Sequence, residues 1–394
     1  MVNLFEQLPN RKGTRSVKWD MVKQIYGAHD VQPMWVADMD LEIAQPIKEA
    51  LKKVIDHGVF GYSYTDDKTD NSIKKWLLTK HDWEINSTSL LYSAGVLEII
   101  HMTVLTYTKP KDKILIQTPV YHPFQSIIKN HQRELVTNSL LLNNGHYTID
   151  FEDLELKFRT GVKLFIFCSP HNPVGRVWKT DELTRVAELA HKYNVMLISD
   201  EIHADLVYPG VKHIPIGSLD TPIKNKIITC MAPTKTFNLA GLQVAYAIIP
   251  DKTIRTTIYQ AFETHGRTML NTLGITALEA AYEHGFNWLA QLIELLVENL
   301  RIVNETFKNR DEVNVIQPEG TYLIWLDFRK SGLTHKQLTL FMQEEAKIGL
   351  NSGATFGDEG KGFMRMNIAS PTSYVLEGVE KICQALDRIK TPQL

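Results

Sequence analysis

Three apolar stretches of the chain each end in residues whose side chains can take part in chemistry. The stretches cover residues 163–168, 195–199 and 226–231. Asn172 follows the first stretch, Asp200 and His203 follow the second, and Lys235 follows the third. Ligands of open α/β sheets bind beyond the carboxyl ends of the strands. We therefore expect this amide, carboxylate, imidazole and amine to meet around one ligand.

The four side-chain types suit pyridoxal 5'-phosphate (PLP). A partly desolvated lysine amine is nucleophilic near neutral pH, so Lys235 could bind the aldehyde carbon of PLP covalently. Asp200 could keep the pyridine nitrogen protonated, which makes the ring an electron sink, and Asn172 could donate to the phenolic oxygen. Each residue also has an ordinary structural interpretation: Asp200 as a helix cap, Asn172 as part of a turn. Their joint occurrence in this order favours the cofactor site.

Several motifs make the chain similar to a known family. Four of them are Ser-Pro-His-Asn-Pro-Val-Gly at 169–175, Ser-Asp-Glu-Ile-His at 199–203, Thr-Lys-Thr-Phe-Asn-Leu-Ala-Gly at 234–241 and Arg-Met-Asn at 365–367. They resemble the fold-type I, or aspartate aminotransferase, superfamily of PLP enzymes. Within it the chain resembles the PatB/MalY-like cystathionine β-lyases, which are carbon–sulfur lyases. The motifs of that branch are Trp-Val-Ala-Asp-Met-Asp at 35–40, Gly-Tyr-Ser-Tyr at 61–64, Thr-Pro-Val-Tyr-His-Pro at 118–123 and Phe-Gly-Asp-Glu-Gly-Lys-Gly at 356–362.

The resemblance implies further residues that bind PLP. A helix that begins near Gly95 would offer backbone amides to the phosphate, and the family's contacts there imply Gly95, Val96 and Leu97. Tyr121 would stack on the pyridine ring, although a core aromatic is the alternative. The remaining cofactor residues that the resemblance implies are His203, Thr234 and Tyr62, the last reaching the phosphate from a neighbouring subunit. A homodimer with shared active sites follows from that role of Tyr62.

Arg365 lies in an apolar, strand-like run at 362–369, where burying a guanidinium without a partner is costly. A substrate carboxylate would supply a planar, bidentate partner. The resemblance adds Trp35, Tyr121 and Asn172 to the predicted substrate site.

The chain departs from many aminotransferases at two positions. They have an arginine eight residues after the lysine and a serine three residues before it, where this chain has Gln243 and Ala232. Because Gln243 carries no charge, we expect the phosphate to depend on Thr234, the helix that begins near Gly95, and Tyr62. The departure slightly favours a lyase over a classical transaminase.

Composition limits the class of protein without identifying it. The chain has 394 residues, 44% of them hydrophobic, which is enough to bury a sizeable core. The net charge of −2 gives no electrostatic reason to expect a nucleic-acid or membrane partner. Three widely spaced cysteines show no metal-type pairing, and no metal site is expected. The N-terminus does not resemble a secretory signal, so we expect a cytoplasmic protein.

Apolar, strand-like runs alternate with helical periodicity through most of the chain. This alternation predicts an α/β fold with a mostly parallel sheet covered by helices. The resemblance refines it to fold type I: a large domain with a seven-stranded type of sheet and a small α+β C-terminal domain. We expect an irregular N-terminal arm at 1–45 that packs with the small domain, a large PLP-binding domain at 46–285 and the small domain at 286–394. A helical pattern over 275–307 would link the two domains.

Three functions are compatible with these residues. The first is a PLP-dependent β-lyase that cleaves cystathionine or other S-substituted L-cysteines to a thiol, pyruvate and ammonia. The second is an amino-acid aminotransferase, which would use the same residues as far as removal of the Cα proton. The third is a PLP-binding regulatory protein, for which the chain offers no basic helix-turn-helix extension.

Overall fold

The computed structural model describes residues 5–390, with side chains to residue 388. Its helices are α1 Val17–Asp20, α2 Val22–Tyr26, α3 Gln45–His57, α4 Asp67–His81, α5 Val96–Tyr107, α6 Pro123–Asn130, α7 Phe151–Arg159, α8 Thr180–Lys192, α9 Pro233–Thr236, α10 Lys252–Thr264, α11 Thr272–His284, α12 Phe286–Phe307, α13 His335–Leu340 and α14 Thr372–Lys390. A π-helical turn, Phe341–Glu345, continues α13.

The strands are β1 Gln32–Pro33, β2 Leu90–Ser93, β3 Lys113–Thr118, β4 Glu134–Ser139, β5 Leu141–Asn143, β6 His146–Thr148, β7 Leu164–Cys168, β8 Met196–Asp200, β9 Ile228–Met231, β10 Ala245–Ile248, β11 Asn314–Ile316, β12 Leu323–Asp327, β13 Ile348–Gly349, β14 Asn351–Ser352 and β15 Phe363–Asn367. Seven of them form the main sheet in the order β2-β10-β9-β8-β7-β3-β4. Only β10 runs antiparallel to its two neighbours within this sheet. The expected mostly parallel sheet is confirmed.

Helices cover both faces of the main sheet, which explains why its central strands are apolar along their whole length. All five residues of β7 are buried. Phe165 and Phe167 pack in a cluster with α8, whereas Leu164 and Ile166 pack in a cluster with α5. Side chains of a strand alternate between the two faces, so a strand covered on both faces needs no polar positions.

A second, antiparallel sheet has the order β11-β12-β15-β14 and carries Arg365 on β15. The long helices α12 and α14 pack against each other beside it. The N-terminal segment reaches this part of the molecule, because β1 pairs in parallel with β13. The N-terminal segment is less irregular than expected, since it forms α1, α2 and β1. The expected domain limits stay a prediction.

The helical pattern expected over 275–307 is confirmed, but it is divided between two helices. The chain forms α11 and α12, which meet at Gly285. A Cβ built at Gly285 would lie 2.3 Å from the ring of Phe237 and 2.4 Å from the carbonyl oxygen of Ala281. The apolar periodicity continues across the break, which is why the sequence pattern did not reveal it. The glycine lets the two helices close tightly over Phe237.

Candidate active site

Three neighbouring strands bring the predicted site residues to one edge of the main sheet. Cys168 at the end of β7 pairs with Asp200 at the end of β8, and Asp200 pairs with Cys230 on β9. The segments that carry Asn172 and Lys235 come directly after these strands. The carboxyl ends of parallel strands thus place the amide, the carboxylate and the amine on the same side of the sheet.

Lys235 lies on α9, a single helical turn that comes after β9. Its Nζ donates to the carbonyl oxygen of Ala37 at 2.6 Å, and the hydroxyl of Tyr322 donates to the same oxygen at 2.9 Å. Burial, followed by the positive charge of Arg365, lowers the pKa of Lys235 to about 8. The amine of Lys235 therefore loses its proton more readily near neutral pH than an exposed lysine does, which favours a role as a nucleophile or a base.

Asp200 is buried, and burial raises its pKa to about 7. Its Oδ1 accepts one backbone hydrogen bond, from Ile202 N at 3.2 Å. A carboxylate in this setting is short of positive partners, and a cationic ring nitrogen would supply one. The alternative interpretation of Asp200 as a helix cap is wrong, because its side chain accepts from Ile202 N in a turn and no helix directly follows it.

His203 is buried behind Asp200, with its ring centroid 5.9 Å from that of Tyr322. Burial and the charges of Lys235 and Arg365 lower the pKa of His203 to about 3, so the imidazole is neutral. Its Nδ1 has no hydrogen-bond partner among the described residues. A buried polar nitrogen without a partner is costly, and a ligand oxygen would satisfy it.

Arg365 is a buried cation surrounded by neutral oxygen atoms. Its Nη1 donates to Asn172 Oδ1 at 3.0 Å, and its Nη2 donates to Trp35 O at 3.0 Å and to Asn351 Oδ1 at 2.6 Å. Nε is buried and unpaired, and no carboxylate of the described residues lies within ion-pair distance. Burial lowers the pKa of Arg365 to about 10. A buried guanidinium without a counter-ion is a strong candidate for binding an anionic ligand.

Tyr121 and Asn172 are fixed to each other by their backbones. The amide of Tyr121 donates to Asn172 O at 3.1 Å, and the ring of Tyr121 packs edge-to-face on Phe124. Burial and the charge of Asp200 raise the pKa of Tyr121. The Asn172 side chain contacts Arg365 in this structure, so Asn172 adjoins the predicted carboxylate site.

The backbone carbonyls of residues 35–38 all accept hydrogen bonds from side chains at the site. Trp35 O accepts from Arg365, and Ala37 O accepts from Lys235. Asn367 Nδ2 on β15 donates to the carbonyl oxygens of residues 36 and 38, each at 2.6 Å. We call residues 35–38 the arm segment. It forms one wall of the site, and Trp35 contributes through its carbonyl group.

A buried ionic cluster anchors the arm segment. Asp40 Oδ2 pairs with the fully buried Lys18 at 2.6 Å, and Asp40 Oδ1 pairs with Arg11 at 2.7 Å. Arg11 also pairs with Asp38 at 2.6 Å. Burial opposes ionisation of Asp40, but the Lys18 charge and the hydrogen bonds from Lys18, Trp19 and Arg11 together outweigh it and lower the pKa of Asp40. The sequence analysis missed this cluster, because α1 has no amphipathic pattern that would signal a buried lysine.

The predicted phosphate-binding site begins at Gly95, the N-cap of α5. Its backbone is extended, and a Cβ there would meet nothing within 4 Å, so the space beside it is open. The first-turn amides of Val96 and Leu97 have no acceptor within the helix. Thr234 is nearly buried on α9, next to Lys235, whereas Gln243 is exposed.

Tyr62 is a predicted site residue that the structure does not bring to the others. Its side chain is 94% exposed in the loop between α3 and α4. Phe60 and Tyr64 in the same loop are 60% and 82% exposed. Ser63 hydrogen-bonds to Thr272 at the start of α11, so the loop is tied to the fold although its aromatic side chains point away.

Comparison with known proteins agrees with this geometry. Residues 36–386 match the family model of aminotransferase class I and II. The chain belongs to this family. Among curated relatives, it is 40% identical to cystathionine β-lyase PatB of Bacillus subtilis (strain 168), an alignment that covers 97% of this chain and 99% of PatB.

Two solved structures show how closely the family fold is kept. Cystalysin from Treponema denticola, which contains PLP, matches with a TM-score of 0.96 and 38% identity over 99% of this chain and 100% of that one. A PLP-bound putative aminotransferase from Clostridium difficile 630 matches with a TM-score of 0.95 and 41% identity over 97% and 99%. The fold is therefore fold type I, as expected.

Membrane spans and metal clusters are both missing from the part of the chain that the structure describes. No helix among the described residues is long and apolar enough to cross a membrane. Residues 5–390 contain no group of three or more histidine, cysteine or acidic side chains placed to hold a metal ion.

Proposed function

We propose that the protein is a PLP-dependent carbon–sulfur β-lyase. Its substrates would be cystathionine or other S-substituted L-cysteines, and its products a thiol, pyruvate and ammonia. The observation that carries the proposal is the buried, counter-ion-free Arg365 beside a lysine of lowered pKa. An α-amino acid brings the carboxylate that Arg365 lacks and places its Cα near the amine of Lys235.

The residues present fit PLP. The amine of Lys235 suits the aldehyde, the buried Asp200 suits the ring nitrogen, and the unpaired Nδ1 of His203 suits an oxygen near the ring. The open space beside Gly95, with the free amides of the α5 N-terminus, suits the phosphate. PLP would supply an electron sink for the charge that develops at Cα.

The protein's own side chains would bind the substrate and accept its proton. Arg365 would bind the α-carboxylate in a bidentate manner and so fix the orientation of Cα. Lys235 Nζ would accept the Cα proton, a role that its lowered pKa favours near neutral pH. Loss of the β-sulfur substituent as a thiolate then leaves a product that hydrolyses to pyruvate and ammonia.

An aminotransferase is the second candidate, because a solved relative of 41% identity is described as a putative aminotransferase. Both reactions share removal of the Cα proton, but the lyase then expels the sulfur substituent, whereas the aminotransferase keeps that substituent and passes the amino group to a 2-oxo acid. The 40% identity to a cystathionine β-lyase supports the lyase, as does Gln243 where many aminotransferases have a phosphate-binding arginine. A PLP-binding regulatory protein without turnover remains the third alternative.

Incubation with a panel of S-substituted cysteines tests the proposal. Pyruvate and free thiol should form in equal amounts from cystathionine, S-methylcysteine or a cysteinyl peptide, without any 2-oxo acid added. Amino transfer to an added 2-oxo acid, with no thiol released, would establish the aminotransferase instead. The panel also identifies the preferred sulfur substituent.

The exposed aromatic loop supports a homodimer with shared sites. The side chains of Tyr62 and Tyr64 are 94% and 82% exposed, and a cleft of about 260 Å³ adjoins Ser63 and Tyr64 between β2 and α10. Contiguous exposed apolar side chains of this kind mark interaction surfaces. A second copy would bury the loop and bring Tyr62 to the neighbouring phosphate. Three buried, unpaired cysteines suit a reducing compartment, and we place the protein in the cytoplasm.

A further inference from the structure

The turn that carries Lys235 is too short to hold its own orientation. The helix α9 has four residues, and a helix of one turn is not stable by itself. Lys235 projects from α9 towards the arm segment, where it meets Ala37 O. Contacts with other elements must therefore fix the orientation of α9.

Asp205 makes one of these contacts. Its Oδ2 accepts a hydrogen bond of 2.7 Å from the hydroxyl of Thr236, the residue after Lys235. Its Oδ1 accepts from Trp76 Nε1 at 3.1 Å and from His81 Nε2 at 2.9 Å, both on α4. One carboxylate thus joins α9 to α4 through three hydrogen bonds.

This carboxylate is buried away from the substrate side of the site. Asp205 is 5% exposed and Thr236 is fully buried. The adjoining cavity measures about 10 Å³, which holds at most one water molecule. Burial opposes ionisation of Asp205, but the hydrogen bonds from His81 and Thr236, together with the charges of His81 and Lys80, outweigh it and lower the pKa of Asp205. Asp205 therefore presents a charged acceptor to Thr236 and cannot touch a substrate.

We propose that Asp205, acting through Thr236, is the positioning residue that sets the direction of the Lys235 amine. The inference rests on the proposed function only for the turnover measurements. A charged acceptor forms a stronger hydrogen bond than a neutral one, so the link holds α9 more firmly than a second threonine or asparagine would. Rotation of the turn would move Nζ, and misplacement of about 1 Å can cost about a hundredfold in rate.

The test compares Thr236→Val, which removes the donor with little change of shape, with Thr236→Ser, which keeps it. Thr103→Val is the matched control, because Thr103 is also fully buried and its hydroxyl also donates one hydrogen bond, to Ile99 O at 2.8 Å. Asp205→Asn is a second route to the same loss. Melting temperatures of all four variants exclude those that do not fold.

Two readouts separate positioning from general stability. The first is the rate at which the visible absorption band appears when PLP is added to cofactor-free protein. The second is kcat, KM and the isotope effect on kcat with a substrate deuterated at Cα. Thr236→Val should slow band formation and lower kcat about tenfold or more, leave KM within about twofold and increase the isotope effect. Thr236→Ser and Thr103→Val should behave like the wild type.

Wild-type rates of band formation and turnover in folded Thr236→Val would overturn the proposal. So would equal losses in Thr236→Val and Thr103→Val, which would reduce the link to a contribution to stability. If the wild-type protein releases no thiol from any substrate, the proposed function fails. The rate of band formation still tests the positioning role in that case, because it requires no substrate.

Discussion

At the scale of single residues, the site is defined by charges that the fold leaves without partners. Arg365 has no counter-ion among the described residues, Asp200 has its pKa raised to about 7, and Lys235 has its pKa lowered to about 8. Burial is the largest cause of the pKa shift of each of these three groups. Each group is thus less stable in the protein alone than it would be beside a ligand of complementary charge.

The lowered pKa of Lys235 predicts a pH-dependent stability for the cofactor-free protein. The unfolded chain binds more protons than the folded one between pH 8 and the ordinary value of 10.5, so stability rises with pH across that window. Lys235→Met removes the buried charge. The variant should melt at a higher temperature than the wild type at pH 7, and the gap should shrink between pH 8 and 10.5.

Calorimetry on cofactor-free protein at pH 7, 8.5 and 10 checks this expectation. Lys53→Met, on the exposed surface of α3, controls for the loss of a lysine. A gap that stays constant over the window would mean that Lys235 Nζ is not buried as a cation.

Arg365→Lys tests the proposed carboxylate site. Lysine keeps the charge but loses the two-pronged geometry, so KM should rise on the order of tenfold or more, because a hydrogen bond to a charged group contributes about 1.5–3 kcal/mol. The visible spectrum of bound PLP should not change. Arg329→Lys, on the exposed loop after β12, should leave KM unchanged. Loss of PLP binding in Arg365→Lys would assign the residue to the cofactor site instead.

At the scale of elements, most of the main sheet could be predicted from the sequence, because strands buried on both faces give continuous apolar runs. The run 163–168 corresponds to β7, and the run 226–231 contains β9. The break at Gly285 could not be predicted, since it depends on how closely α11 and α12 approach Phe237. The hydrogen bonds of the arm segment could not be predicted either, because backbone carbonyls are the same for every residue type.

Gly285→Ala tests the packing of α11 and α12 over Phe237. The added methyl group would overlap the Phe237 ring and Ala281 O, which should destabilise the protein by about 1–3 kcal/mol. Because Phe237 comes directly after Thr236, PLP binding should weaken as well. Thermal melting and a PLP titration measure both effects, and Gly241→Ala is the control, since a methyl group there meets open space. An unchanged melting temperature would show that α11 and α12 accommodate the added methyl group without loss of stability.

At the scale of the whole molecule, the exposure of Tyr62 argues that one chain does not complete the site. If Tyr62 contributes to the active site of the neighbouring subunit, a mixture of the inactive Lys235→Ala and Tyr62→Ala proteins should regain activity after subunit exchange. One of the two sites in each mixed dimer then has both residues. Recovery should approach about a quarter of wild-type activity when exchange is complete.

A mixture of Lys235→Ala and Asp200→Ala is the control, because those two residues lie in the same subunit and no mixed dimer contains an intact site. Analytical ultracentrifugation verifies that dimers form, and differently tagged subunits verify exchange. A Tyr62 mixture that stays as inactive as the control would mean that Tyr62 acts within its own subunit, and the proposal of shared sites would fail.

The arm segment has a consequence for how the protein is made. Trp35 and Ala37 leave the ribosome early, but their donors Lys235, Tyr322 and Arg365 lie 198, 285 and 330 residues further along the chain. These contacts are among the most distant in sequence, and such contacts form late in folding. The arm segment therefore cannot make its contact with Arg365 until residue 365 has been synthesised. A nascent chain that already holds Lys235 still lacks this contact of the wall that encloses it, so this lysine stays open to free aldehydes until the last strand emerges.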